Sequence, residues 1–127
     1  MATSGRDGTR RARGHGVEAA VEAWLQDRGL VRRCRNYHCR FGEIDLIMDD
    51  GDTLVFVEVR YRRDASYGGG MASVTPAKQQ RLVRTARHYL SRHPELQSRP
   101  CRFDVVAAGA TQNGEDYQWV RNAFYGE

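Results

Sequence analysis

At 127 residues the chain has the length of one domain built on one hydrophobic core. Its 40% apolar and 28% charged content fits a well-solvated protein. No apolar run approaches the roughly 20 residues that span a bilayer, which excludes a membrane-spanning helix. The 20 basic residues outnumber the 16 acidic ones for a net charge of +4, a balance that agrees with a nucleic-acid partner.

Residues 1–14 carry Arg6, Arg10, Arg11 and Arg13 and almost nothing apolar, the composition of a disordered basic arm. Such an arm adds sequence-independent attraction to phosphate, or simply solubilises the chain. It contains no apolar signal segment, so the expected compartment is the cytoplasm. Residues 15–127 read as the folded domain. From Gly16 to Arg28, the residues Val17, Ala20, Val21, Trp24 and Leu25 recur at the spacing of one helix face. Gly29 stands where such a helix ends. Glu18 lies beside the stripe, and Glu22 further towards water. Leu30 to Asn36 forms a first strand, followed by a turn through His38.

Two apolar stretches follow, Gly42 to Ile47 and Leu54 to Arg60, joined through Asp49-Asp50-Gly51-Asp52, which is a strong hairpin signal. Arg62 to Gly70 reads as a loop. Thr75 as N-cap and Pro76 as first residue open a second helix. Its buried stripe is Leu82, Val83, Ala86, Tyr89 and Leu90, and Pro94 stops it. Arg102 to Ala107 makes a fourth strand. A turn near Asn113-Gly114 leads to a fifth, Tyr117 to Val120. The order α-β-β-β-α-β-β predicts a single α/β domain with a mixed five-stranded sheet flanked by helices.

Cys34, Cys39 and Cys101 are an odd set and read as reduced thiols. Cys34, His38 and Cys39 cluster, but a structural zinc needs about four ligands and no second pair has suitable spacing.

The chemistry concentrates in the hairpin. Asp45 and Glu58 interrupt strands apolar enough for a sheet interior, where an unpaired charge is costly. With Asp50-Gly51 at the centre of the turn, Met48 faces Thr53, Asp45 faces Phe56, and Glu43 faces Glu58. Alternation then puts Glu43, Asp45, Glu58 and Arg60 on one side of the sheet. Asp45 and Glu58 become diagonal neighbours, close enough for their carboxylates to interact. Two carboxylates about 5 Å apart repel by roughly 3 kcal/mol at an effective dielectric near 20. Arg60 can offset one charge. An all-oxygen donor set otherwise suits Mg²⁺ or Mn²⁺. The competing explanation is a hairpin whose acids face solvent at a sheet edge and pair with surface arginines.

Gly42-Glu43-Ile44-Asp45-Leu46-Ile47, followed by Phe56-Val57-Glu58-Val59-Arg60-Tyr61-Arg62, resembles the YraN-like family of bacterial proteins. That family is similar to Holliday-junction resolvases within the restriction-endonuclease-like, PD-(D/E)xK superfamily. The likeness extends to Glu18, Asn36, Tyr67-Gly68, Val74-Thr75 with Lys78, and Arg102-Phe103-Asp104-Val105-Val106, nearly the whole chain after the arm. It implies a restriction-endonuclease-like core and a nuclease site in which Asp45 and Glu58 are the metal-binding acids. Glu18 would be the helix-borne acid of the resolvase branch, and Arg60 stands where the superfamily has lysine. In such enzymes the metal activates water and stabilises charge on the scissile phosphate. Arginine still stabilises an anion, but it stays protonated at physiological pH and so cannot act as a general base.

Lys78 reads either as a phosphate contact near a helix N-terminus or as a solvated helix position. Arg62 and Arg63 are placed for backbone phosphates, and Asn36 and Arg40 lie in a polar, aromatic loop able to touch nucleic acid. Asp104 reads either as a further acid near the site or, by preference, as a structural strand-end residue. The expected function is a Mg²⁺- or Mn²⁺-dependent nuclease acting on DNA, branched or damaged forms included. The alternatives are a non-catalytic nucleic-acid-binding module on the same fold and a protein-interaction adaptor. By analogy with resolvases, which cut symmetric junctions, a homodimer is a candidate assembly.

Overall fold

The computed structural model describes residues 8–62, 74–111 and 114–125. Helix α1 (Gly8–Gln26) leads into three strands, β1 (Val31–Cys39), β2 (Gly42–Asp50) and β3 (Thr53–Arg62). Helix α2 (Pro76–Ser91) and a 3-10 turn (Pro94–Leu96) precede β4 (Cys101–Thr111) and β5 (Gly114–Phe124). The element order is the expected one. Residues 8–14, assigned by composition to the arm, continue the helix, while residues 1–7 lie outside the described residues. Among the described residues no helix is long and apolar enough to cross a membrane.

The strands form one sheet in the order β1-β2-β3-β4-β5. Only β3 and β4 run parallel, which requires the crossover that α2 supplies. The sheet is covered on both faces. Val21, Leu25 and Leu30 at the α1 side pack on Leu46, Met48, Val55, Val57, Val106 and Ala108. Leu82, Val83, Ala86 and Tyr89 of α2 pack on Ile44, Ile47, Leu54, Phe56, Phe103 and Val105. Double coverage explains why Leu54-Val55-Phe56-Val57 is uninterruptedly apolar: every one of its side chains is buried.

The hairpin register differs from the expectation. Asp50 pairs with Thr53, Met48 with Val55, and Leu46 with Val57, so the loop is Gly51-Asp52 rather than Asp50-Gly51. The reason is local. Gly51 alone takes a positive φ, 60°, and a glycine in the first central position suits a type II′ turn. The first hairpin is also tighter and later than expected, with Cys39 paired to Gly42 and Arg40-Phe41 as its loop.

Glu22, expected towards water, is only 6% exposed. Arg35 Nε donates to it at 2.9 Å and Arg32 lies 3.5 Å away, because β1 lays its arginines across α1.

At the start of α2, Thr75 Oγ1 accepts from the Lys78 amide at 3.3 Å, and Pro76 occupies the first turn. Thr75→Ala should therefore lower stability by about 1 kcal/mol, measurable as a smaller midpoint in urea with an unchanged slope.

Candidate metal and phosphate site

The corrected register decides the geometry of the acids. The β2–β3 ladder ends at the Leu46–Val57 pair, so Asp45 and Glu58 lie just beyond it. At that point the strands stop exchanging backbone bonds. Asp45 Oδ2 instead accepts from the Val59 amide at 2.8 Å. The alternation of β2 also breaks there, since Ile44 and Ile47 both face α2 while Leu46 and Met48 face α1. On the neighbouring strand the same break appears as Asn36, with φ 58°. Asp45 thus sits where the sheet opens.

Glu18 of α1 completes the group. Its carboxyl is within hydrogen-bonding reach of Asp45 and of Asn36, and Asp45 in turn contacts Glu58. Burial, above all, pushes Asp45 up to about 7 and Glu58 to about 8, and neighbouring carboxylates add to both shifts. Burial also raises Glu18. The Val59 amide pulls Asp45 the other way, and Arg60, with a nitrogen 3.0 Å from Glu58 Oε2, does the same for Glu58. Burial and mutual repulsion thus both favour the protonated form in this group of acids.

Asp45 and Glu58 lie at the floor of a cavity of about 300 Å³, walled by Gly42, Arg60, Lys78 and Arg81. Gly42 lets β2 approach α2: a Cβ there would come within 3.2 Å of Thr85 Oγ1, and its φ of 146° favours glycine. The floor is acidic and the α2 wall is cationic, an arrangement that accepts a cation and the phosphate it would neutralise.

The residues fit a hard divalent ion by donor chemistry, all oxygen and negatively charged on ionisation. Glu18 Oε1 is buried without a hydrogen-bond partner, an acceptor that a cation or a water on it would satisfy. The carboxyls are nevertheless packed against one another. Among the described residues, no group of three or more histidines, cysteines, aspartates or glutamates already surrounds a common centre. That statement also covers Cys34, His38 and Cys39.

A family model described as uncharacterised protein family UPF0102 matches residues 17–108. The chain belongs to the UPF0102 family. A UPF0102 protein of Alcanivorax borkumensis is 52% identical over 115 residues, 90% of this chain and 92% of its own length. One from Nitrosococcus oceani is 50% identical over 116 residues, 91% of this chain and 94% of its own, and one from Aeromonas hydrophila is 52% identical over 114 residues, covering 89% and 85%. The YraN-like resemblance holds at this level, and the span matched to UPF0102 contains Glu18, Asp45, Glu58, Arg60 and Lys78.

The remaining expected contacts are scattered in this UPF0102 fold. Lys78 lines the acidic cavity. Asn36 lies near Glu18 and favours its ionised form. Arg40 stacks over Phe41, its guanidinium carbon 4.8 Å from the ring centre. Arg62 ends β3 opposite Gly109, while Arg63, Tyr67 and Gly68 lie outside the described residues. Sequence reasoning passed over Arg81. Its position three residues after Lys78, on a helix already expected to face the site, was the available signal.

Proposed function

We propose that this chain is a metal-dependent nuclease that hydrolyses phosphodiester bonds in DNA, on a restriction-endonuclease-like core. The observation that carries this reading is the meeting of Glu18, Asp45 and Glu58, from three different elements, beside a cavity walled by Lys78 and Arg81. Acids so placed make the metal-free fold less stable than neutral groups would, and their persistence there is explained by a ligand that offsets their charge. Mg²⁺ or Mn²⁺, when bound, supplies Lewis acidity toward phosphate and a lowered pKa for water. Glu18, Asp45 and Glu58 would hold it. Lys78 and Arg81 bind and orient the phosphate, and Arg60 fixes Glu58 by their ion pair. Because Asp45 and Glu58 retain protons into the neutral range, cation binding releases them, and affinity rises with pH.

The test is cleavage of linear and branched DNA in Mg²⁺ and in Mn²⁺, with Asp45→Asn as the control. Product from the wild type well above that control is expected. Equal product from the two sinks the nuclease reading.

The second reading, a non-catalytic nucleic-acid-binding module, is favoured by Arg60. It stands where the superfamily has lysine and lies 3.0 Å from Glu58, engaged with an acid. Salt-sensitive DNA binding that survives Asp45→Asn, with no cleavage by either protein, is the result that selects it.

A further inference from the structure

Among the described residues, many arginines are held by acids or aromatic rings of the fold, as Arg28 is over Trp24, Arg40 over Phe41 and Arg121 over Trp119. Arg32 and Arg35 pair with Glu22, Arg33 and Arg99 with Asp49, Arg60 with Glu58, and Arg102 with Asp50 and Asp104. These are engaged within the fold. Helix α2 is different. Lys78, Arg81, Arg84 and Arg87 recur every third residue, the helix contains no acid, and among the described residues none of these four side chains is ion-paired. Side chains three apart stand about 5–6 Å apart, so neighbouring cations repel and weaken the helix rather than strengthen it. Such a row is stabilised by an anionic partner.

The row joins two cavities. Lys78 and Arg81 line the one above Asp45 and Glu58. Arg84 and Arg87 line a second, of about 430 Å³, together with Gln79, Gln80 and Tyr125. Tyr125 follows the last strand and is 76% exposed, a large aromatic ring at the rim of a cationic groove. A phosphate chain laid along the cations would arrive at that ring. Duplex DNA offers phosphates there but keeps its bases stacked inside, whereas a single strand also offers a free base to an aromatic face and to carboxamide groups.

We propose that α2 is a track for a single nucleic-acid strand: its phosphates follow Lys78, Arg81, Arg84 and Arg87, and an unpaired base rests on Tyr125 in the second cavity. The inference deepens the nuclease reading, on which it rests for the direction of the strand, and names its substrate as one with a single-stranded segment next to the cut. An acidic peptide is the competing occupant.

The test is fluorescence anisotropy in EDTA, so that binding is read without cleavage. The probes are a labelled oligo-thymidylate of about 16 nucleotides and a mixed-sequence duplex of equal length. The variants are Arg84→Ala/Arg87→Ala, Tyr125→Ala and, as a cationic control away from α2, Arg121→Ala. The double variant should bind the single strand about tenfold or more weakly and reduce the salt slope by about 1.4, two phosphates' worth. Tyr125→Ala should weaken the single strand about tenfold and leave the duplex unchanged. Loss of affinity no greater than that of Arg121→Ala overturns the track. Equal loss on duplex and single strand in Tyr125→Ala overturns the stacked base, and displacement of the probe by oligo-glutamate as readily as by unlabelled oligo-thymidylate overturns the choice of nucleic acid. Binding along α2 by a wild type that never cuts in Mg²⁺ or Mn²⁺ leaves the track standing and removes the nuclease reading instead.

Discussion

Without divalent cations, the protein is expected to lose thermal stability by on the order of 10 °C as pH rises from about 5 to about 8.5, and an Asp45→Asn/Glu58→Gln variant is not. Burial holds Asp45 up at about 7 and Glu58 at about 8 in the fold. Both groups ionise near 4 in an unfolded chain. Between those limits the native state binds more protons than the unfolded state, so the free energy of unfolding falls as pH rises. The contribution is fully present below about 4 and is lost as pH climbs through the folded values.

Taken alone, each shift corresponds to on the order of 4 kcal/mol. The two carboxyls influence one another, so part of that cost is shared and the sum is smaller. Other groups titrate over the same range, which is why the doubly neutral variant is the reference. Adding Mg²⁺ or Mn²⁺ at about pH 8 should restore the wild-type midpoint and leave the variant's unmoved. On the proposed nuclease reading, the same two substitutions should reduce cleavage by about a thousandfold or more, since they remove the charge that would hold a divalent cation. A wild-type stability profile no steeper than the variant's would show that the acids are not strained in solution.

The second large effect is structural. Asp104 is 1% exposed on β4 and gathers four hydrogen bonds: two from Arg102 Nε at 3.0 and 3.2 Å, one from Trp119 Nε1 and one from the Asn122 amide, both at 2.9 Å. Arg102 also reaches Asp50 Oδ2 at 2.9 Å, at the edge of the β2–β3 turn. Asn122 lies in the left-handed region, φ 54°, where β5 departs from regular pairing with β4. One carboxylate therefore fixes the sheet's last strand and its central hairpin together. Asp104→Ala leaves Arg102 with Asp50 alone and removes the acceptor of an indole N–H and a backbone N–H, and should cost about 2–4 kcal/mol. Asp104→Asn keeps one acceptor and should recover part of that loss. Chemical denaturation reads both values; a cost for the alanine variant under about 1 kcal/mol would remove Asp104 from this role.

The sequence was informative wherever structure follows from neighbours along the chain. Helix periodicity, the Thr75-Pro76 start and the two apolar hairpin strands depend on residues within a few positions, and the structure has all of them. For Asp104 the sequence favoured a structural role over a site acid, and its partners Trp119 and Asn122 became visible only in the fold. The hairpin register was not. It turned on which residue of Asp50-Gly51-Asp52 takes a positive φ, and the pairing moved by two positions, with the ladder ending at Leu46–Val57 just before Asp45 and Glu58. Glu22 was misplaced for a related reason. Its burial is made by arginines of another element, which no helical spacing reveals.

By itself, then, the sequence determined the order of the elements, the doubly covered sheet and the identity of the acids, because these rest on local propensity and on apolar pattern. Tertiary structure alone decided that Glu18, Asp45 and Glu58 come together, and that Lys78 and Arg81 line the cavity beside them while the arginines of β1 are bound within the fold. The reason is physical. Charge interactions depend on distances and burial between residues far apart in the chain, and those are fixed only when helices and sheet have packed.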